Sequence, residues 1–320
     1  MKNISFDLYL FSKYRSALMG IATIGILMCH APANGVCLPF NLNAILGLGQ
    51  MGVMIFFFVS GIGLYFSTRK MEYTPKSIMA WYKKRLMRLF VPYIILYAPY
   101  LYLAMSNTSS LNLGGYLLHL STISYWIDHT GCWFVDVIIP LYLLTPIWNK
   151  VLEKVAFPFI PTIMVFFAMS FVPNSYESAF FQASFYFIGF WLGPYVKNGA
   201  TLSKKGLLTG AMVIALMLAS YCLFGVGKLL QILMLPTVFI LCLLLEKSRN
   251  KATIRLLNFF GAISLESYIL NVTLIFWIRH FNLLPGTLYS YRYLFIVVFG
   301  VVIATITNRL CVPLVAKLNK

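Results

Sequence analysis

The chain has 320 residues, of which 60% are hydrophobic, 17% aromatic and only 10% charged, with a formal net charge of +17. Soluble domains carry about 25% charged residues, so this composition excludes a soluble globular protein and predicts one all-α, polytopic membrane domain over residues 1–320. The basic excess does not point to a nucleic acid, because membrane proteins keep Lys and Arg on their cytoplasmic loops.

Along the chain, ten apolar runs approach the ~20 residues that cross a bilayer core. They are 16–33, 45–66, 88–106, 131–149, 155–173, 178–196, 206–225, 228–246, 256–278 and 292–314. An eleventh run, 113–127, is short and polar and reads as a re-entrant or interfacial piece. With Met1 inside, 22 of the 25 Lys and Arg fall on inner loops, and Lys228, Arg279 and Arg292 fall outside. Letting 113–127 cross would move Lys150, Lys154 and the clusters at 204–205 and 247–255 outside. The expectation is therefore a bundle of about ten transmembrane helices with both termini cytoplasmic. The rival reading of the first run is a cleaved leader ending in "APA" at 31–33. The membrane segments behind it argue against that.

The first run carries Arg15 at its inner end and His30 near its outer end. Their separation is roughly 22 Å at 1.5 Å per residue, and they lie about 60° apart around the helix. An ionisable group at membrane depth is costly and suggests function, although a structural role for a lone membrane histidine weighs equally. In "FFFVSGIGLYFS", Ser60, Gly61 and Gly63 form a notch among bulky aromatics. Helix packing is the plainer explanation, and a narrow passage for a thin ligand is the sharper one.

In "WYKKRLMRLFVPY", Arg85 and Arg88 share a helix face at three-residue spacing. Paired guanidinium groups suit phosphate, but on this stretch alone topology and anionic lipid are the favoured explanation. In "GCWFVDVIIPLYLLTPIW", Trp133 is an interfacial anchor by type. Asp136 lies a turn deeper, either solvated at a cavity mouth or orienting an imidazole. Glu266 sits near the middle of its run and is the deepest formal charge, so it faces the bundle interior. It is either a protonated structural group or a latch to a basic partner. The six cysteines follow neither metal nor disulfide-framework spacing. A bridge between Cys37 and Cys132 is left open. No metal, nucleotide or nucleophile-elbow motif is present, and no internal repeat.

Four blocks in this order resemble the bacterial membrane acyltransferases of family three: "YRSALMGIATIGILMCH", "FFFVSGIGLYFS", "YKKRLMRLFVPY" and "WFVDVIIPLYLLTPI". A fifth, "FFGAISLESYILNV", resembles the family's late "SLE-x-Y-L-x-H" segment. The resemblance covers nearly the whole chain. It implies an enzyme of the cytoplasmic (inner) membrane that uses acyl-CoA, often acetyl-CoA, as donor substrate, with no bound cofactor or metal. The implied acceptor is a hydroxyl on a surface or exopolysaccharide sugar, or on a lipid-linked sugar. It also implies a catalytic role for His30, and acyl-CoA binding by Arg85, Arg88, Ser60 and Gly61. An arginine common in the family eleven residues before the histidine is Met19 here, and Arg15 stands one turn earlier as its substitute. The late block ends in Asn271 where histidine is common. Asp136, Glu266 and Trp133 are supporting candidates. Two other readings stay open. One is a transporter or flippase for a glycan or small solute, with His30 and Glu266 as a proton relay. The other is a catalytically silent family member. The oligomeric state is not legible.

Overall fold

In lipid, an apolar run can satisfy its backbone N–H and C=O groups only internally, and the computed structural model of the chain is accordingly built of helices. It describes residues 6–34, 36, 43–129, 131–170, 172, 177–208, 210–212, 215, 219, 233–281 and 289–319. A short strand β1 (Phe6–Asp7) pairs antiparallel with β2 (Thr201–Leu202). The helices are α1 (Tyr9–Lys13), α2 (Arg15–His30), α3 (Asn43–Gly47), α4 (Met51–Thr68), α5 (Pro75–Asn107), α6 (Leu113–Leu120) and α7 (Ser124–Asp128). There follow α8 (Trp133–Lys154), α9 (Phe159–Ser170), α10 (Glu177–Lys197), α11 (Met234–Ser248), α12 (Lys251–Ala262), α13 (Ser264–His280) and α14 (Tyr289–Leu318).

Among the described residues, four segments are long and apolar enough to cross a membrane: Ile45–Thr68, Pro75–Asn107, Trp133–Lys154 and Tyr291–Leu318. A fifth is a bent pair, Lys251–Ala262 with Ser264–Ile278. Arg15–His30 and Phe159–Met169 are shorter apolar helices. The predicted run 206–225 lies largely outside the described residues. On α14, Leu294, Val298, Val302, Ile306 and Leu310 are all exposed and recur every fourth residue. Such a stripe is untenable in water and natural against lipid. The protein is an all-α, multi-pass membrane protein.

Local signals in the sequence account for several helix ends. Thr74 caps α5, its Oγ1 accepting from Ser77 N–H at 3.2 Å, and Pro75 follows in the first turn, where its missing N–H is harmless. Asn112 caps α6 by accepting from Gly115 N–H at 2.7 Å. The segment 113–127 thus folds as two short helices of 8 and 5 residues. At 1.5 Å per residue they span about 12 and 7 Å, too little to cross a core of about 30 Å.

The run 256–278, expected as one continuous span, is instead broken at Ile263 with a bend of 63°. The first half is held by packing that the apolar pattern does not reveal: a Cβ on Gly261 would lie 2.1 Å from the Ser16 carbonyl oxygen of α2. The break places Glu266 in the first turn of α13, where the helix dipole favours a carboxylate.

The core lies between α4 and α10. Phe57, Phe58 and Ile62 of α4 and Phe181, Phe185, Tyr186 and Phe190 of α10 are fully buried. Their backbones touch at two reciprocal glycines. A Cβ on Gly61 would fall 2.1 Å from Tyr186 O, and one on Gly189 would fall 2.0 Å from Phe58 O. Small residues allow this approach. Helix α2 packs against both α4 and α12.

Candidate active site

The C-terminal turn of α2 builds the first half of the site. Ala31 N–H bonds back to Met28 O, so the Leu27 carbonyl loses its usual helical donor. Tyr293 of α14 supplies a replacement, its hydroxyl donating to Leu27 O at 2.5 Å. Asn34 Nδ2 donates to the His30 carbonyl at 2.8 Å. The His30 ring is hydrogen-bonded at Nδ1 by the side-chain amide of Asn271 from α13, and the other end of that amide lies 3.3 Å from the Tyr293 hydroxyl. Asn271 and Tyr293 are only 3% and 4% exposed. His30 itself is half-buried and lines a cavity of about 510 Å³ with Cys29, Gln50, Trp133, Gln182 and Tyr268. That volume lies within the usual range for small-molecule sites. Polar amides and two aromatic rings around an imidazole suit a ligand with both hydroxyl groups and an apolar face.

The second half gathers at the other end of α2. The Arg15 guanidinium lies against α4, where a Cβ on Gly63 would come within 2.5 Å of its Nη2. Gly63 therefore opens the space that this side chain occupies. Arg15 is near enough to Arg85 and Arg88 of α5 for their charges to interact, and Tyr142 of α8 lies among all three. Arg15 remains accessible although protein surrounds it on most sides. The Arg85 guanidinium lies over the Trp81 ring at 5.9 Å, and its Nε is buried without a hydrogen-bond partner among the described residues. Among the described residues no ion pair holds Arg15, Arg85 or Arg88. Three guanidinium groups within one another's field and, among the described residues, without an ion-paired carboxylate repel and favour an anion, phosphate above all.

The remaining candidates separate from these two clusters. Gly61 faces the α10 backbone, so its small size serves helix packing. Ser60, beside it on α4, is half-buried. Trp133 is on the wall of the His30 cavity. Asp136 is 1% exposed and both its oxygens lack partners among the described residues. It lies against Gly131, whose Cβ would fall 2.8 Å from Asp136 Oδ2, and near the unpartnered Tyr93 hydroxyl. The hydrogen-bond partner of the His30 ring is Asn271 and not Asp136. Glu266 accepts from Asn308 Nδ2 at 3.0 Å and lies in the field of Arg88. Cys132 is a buried free thiol, and Cys37 lies outside the described residues. Among the described residues no three His, Cys, Asp or Glu side chains could hold a metal ion.

Sequence reasoning did not find Tyr293, Tyr142 or Gln182. Asn271 entered it only as a departure from a motif. The available signal was the spacing of Ser267 and Asn271, four apart on one face of the helix.

The fold and site define a class: a multi-pass helical membrane protein with an imidazole at a cavity and an unpaired guanidinium cluster at the opposite end of the same helix. A family model described as an acyltransferase domain matches residues 17–309, and the chain belongs to acyltransferase family 3. It is an acyltransferase that transfers groups other than aminoacyl groups. No curated protein and no solved structure matches it.

Proposed function

We propose that the protein is an O-acyltransferase of the cytoplasmic membrane. It moves an acyl group, acetyl in the simplest case, from cytoplasmic acyl-CoA to a hydroxyl of a surface or exopolysaccharide sugar or its lipid-linked precursor. The observation that carries this reading is the pairing of His30 at its cavity with the arginine cluster at the far end of α2. The phosphates of the donor bind Arg85, Arg88 and Arg15, and the pantetheine arm carries the thioester toward His30. Ten crossings with both termini in the cytoplasm belong to the same proposal. They put the arginines inside and the cavity outside.

In the reaction His30 Nε2 takes the proton of the acceptor hydroxyl while the oxygen attacks the thioester carbonyl carbon. The C–O bond forms, the tetrahedral intermediate collapses, and the C–S bond breaks. The imidazolium returns its proton to the departing thiolate. The products are an ester and free CoA thiol, with the histidine restored. A positioned general base contributes about 10²–10⁴-fold.

The test compares cells with and without the gene by mass analysis of their surface glycans, together with thiol release from acetyl-CoA by membranes containing the protein. Loss of one acyl-sized increment, with gene-dependent thiol release, supports the proposal. Gene-dependent solute uptake without thioester consumption favours a carrier instead. Within the donor site, Arg85→Ala and Arg88→Ala are each expected to raise KM for acetyl-CoA about 10-fold with little change in kcat. A charge-assisted hydrogen bond is worth about 1.5–3 kcal/mol, and 1.4 kcal/mol is a factor of about ten. Steady-state kinetics across a range of acetyl-CoA concentrations checks this.

A further inference from the structure

We infer that Asn271 and Tyr293 are positioning residues that fix the tautomer of His30, so that Nε2 faces the cavity as a bare lone pair. The inference rests on the reading of His30 as general base and adds the means by which that base is prepared.

Counting protons leads to it. A tyrosine hydroxyl has one proton, and a backbone carbonyl only accepts. The Tyr293 proton is directed to Leu27 O at 2.5 Å, a carbonyl left without a helical donor at the end of α2. The same hydroxyl lies 3.3 Å from Asn271 Oδ1, but with its one proton on Leu27 O it offers that atom only a lone pair. An amide oxygen there would face another acceptor, whereas the amide nitrogen would donate. The two ends of an asparagine amide are alike in shape, so its neighbours decide which way it faces. The amide sits with Nδ2 toward His30 Nδ1 and Oδ1 toward Tyr293; exchanging its two like-shaped ends turns Nδ2 to Tyr293 and Oδ1 to the Nδ1 of His30. An oxygen there requires Nδ1 to carry the hydrogen, and in a neutral ring Nε2 then holds the lone pair.

The opposite orientation disables the base. An amide nitrogen donating to Nδ1 would place the ring proton on Nε2, which could then accept none. In the favoured arrangement the Nδ1–H bond to Oδ1 also persists when Nε2 is protonated, and it strengthens because the donor becomes charged. Burial of Asn271 and Tyr293 to 3% and 4% exposure removes competing water. Of the three side chains in the chain of contacts, His30 is the one that lines the cavity.

The direct test is ¹⁵N NMR of the full chain with labelled histidine in detergent micelles, at a pH where the ring is neutral. The His30 signals are assigned by their absence in His30→Gln. The expected result is hydrogen on Nδ1 and none on Nε2; hydrogen on Nε2 would overturn the inference. The kinetic test uses acetyl-CoA with alkali-deacylated envelope glycan from cells that carry the gene. Asn271→Leu is expected to lower kcat about 10- to 100-fold, the range seen on removing the hydrogen-bond partner that orients a metal-bound histidine, with KM for acetyl-CoA unchanged. Asn271→Asp, whose ionised carboxylate accepts from Nδ1–H and can take the Tyr293 hydroxyl proton at its other oxygen, is expected to restore turnover to within a few-fold of the parent. A Leu variant with parental kcat, or an Asp variant as impaired as Leu, also overturns it. The NMR measurement needs no substitution at 271, so it stands even where a variant fails to fold. Full turnover by His30→Gln would remove the base assignment itself. An inactive His30→Gln with Nε2–H in the parent would remove only the present inference.

Discussion

His30→Gln is expected to lower acyl transfer from acetyl-CoA by about 10²–10⁴-fold, the contribution of a positioned general base. Glutamine keeps much of the side-chain volume but offers no group that accepts a proton near neutral pH. The residue is half-buried at a cavity wall, so the loss of packing is small and the protein should insert and fold as before. The arginine cluster lies roughly 22 Å away along the same helix, so KM for the donor should hardly move. Loss confined to kcat is the signature of an interaction made in the transition state. The measurement is thiol release from acetyl-CoA by purified protein with the deacylated glycan acceptor. Turnover at the parental rate would remove His30 from the chemistry.

The second large effect separates two glycines two residues apart. Gly61→Ala should disrupt packing, and Gly63→Ala should disturb donor binding. The Cβ at position 61 would meet the Tyr186 carbonyl oxygen at 2.1 Å and Phe190 N at 2.7 Å. These are backbone atoms, so helices α4 and α10 must move apart along the most densely packed part of the core. Overpacking a tight interior costs about 1–3 kcal/mol and occasionally more, and a backbone clash belongs at the upper end. At position 63 the Cβ would instead meet Nη2 and Cζ of Arg15, at 2.5 and 2.6 Å. A flexible side chain can withdraw, so the fold survives while the guanidinium leaves its place beside Arg85 and Arg88. The expected readouts are a markedly lower thermal midpoint in detergent for Gly61→Ala, and a raised KM for acetyl-CoA at a near-parental midpoint for Gly63→Ala. The reverse pattern would mean that the guanidinium position is unrelated to the donor.

The transport alternative fares differently at its two named residues. A relay from His30 to Glu266 would need polar groups joining them. His30 is instead bonded to Asn271, while Glu266 is bonded to Asn308 and lies in the field of Arg88.

Several features were legible because they depend on local chemistry. The apolar runs had to be helices, since lipid offers no partner for an open backbone. The segment 113–127 was too short and polar to cross as one helix. Arg85 and Arg88 shared a face by spacing alone. The notch at Ser60, Gly61 and Gly63 was visible as a notch, but its two glycines could not be told apart. One receives the backbone of α10 and the other the side chain of Arg15, and both neighbours are remote in the chain.

The sequence by itself determined the solvent in which this protein folds, the helices that result, and the membership of one helix that carries a cation and an imidazole at its two ends. Composition and periodicity suffice for that, because they act over a few turns of chain. Tertiary structure alone decided which partners those two groups find. It bent the run at Ile263, brought Asn271 and Tyr293 to His30, and set Tyr142 among the three arginines. Each of these contacts joins residues far apart in sequence, and a hydrogen bond depends on separations of a few tenths of an ångström and on which partner holds the proton. Those quantities arise only when the helices are packed together.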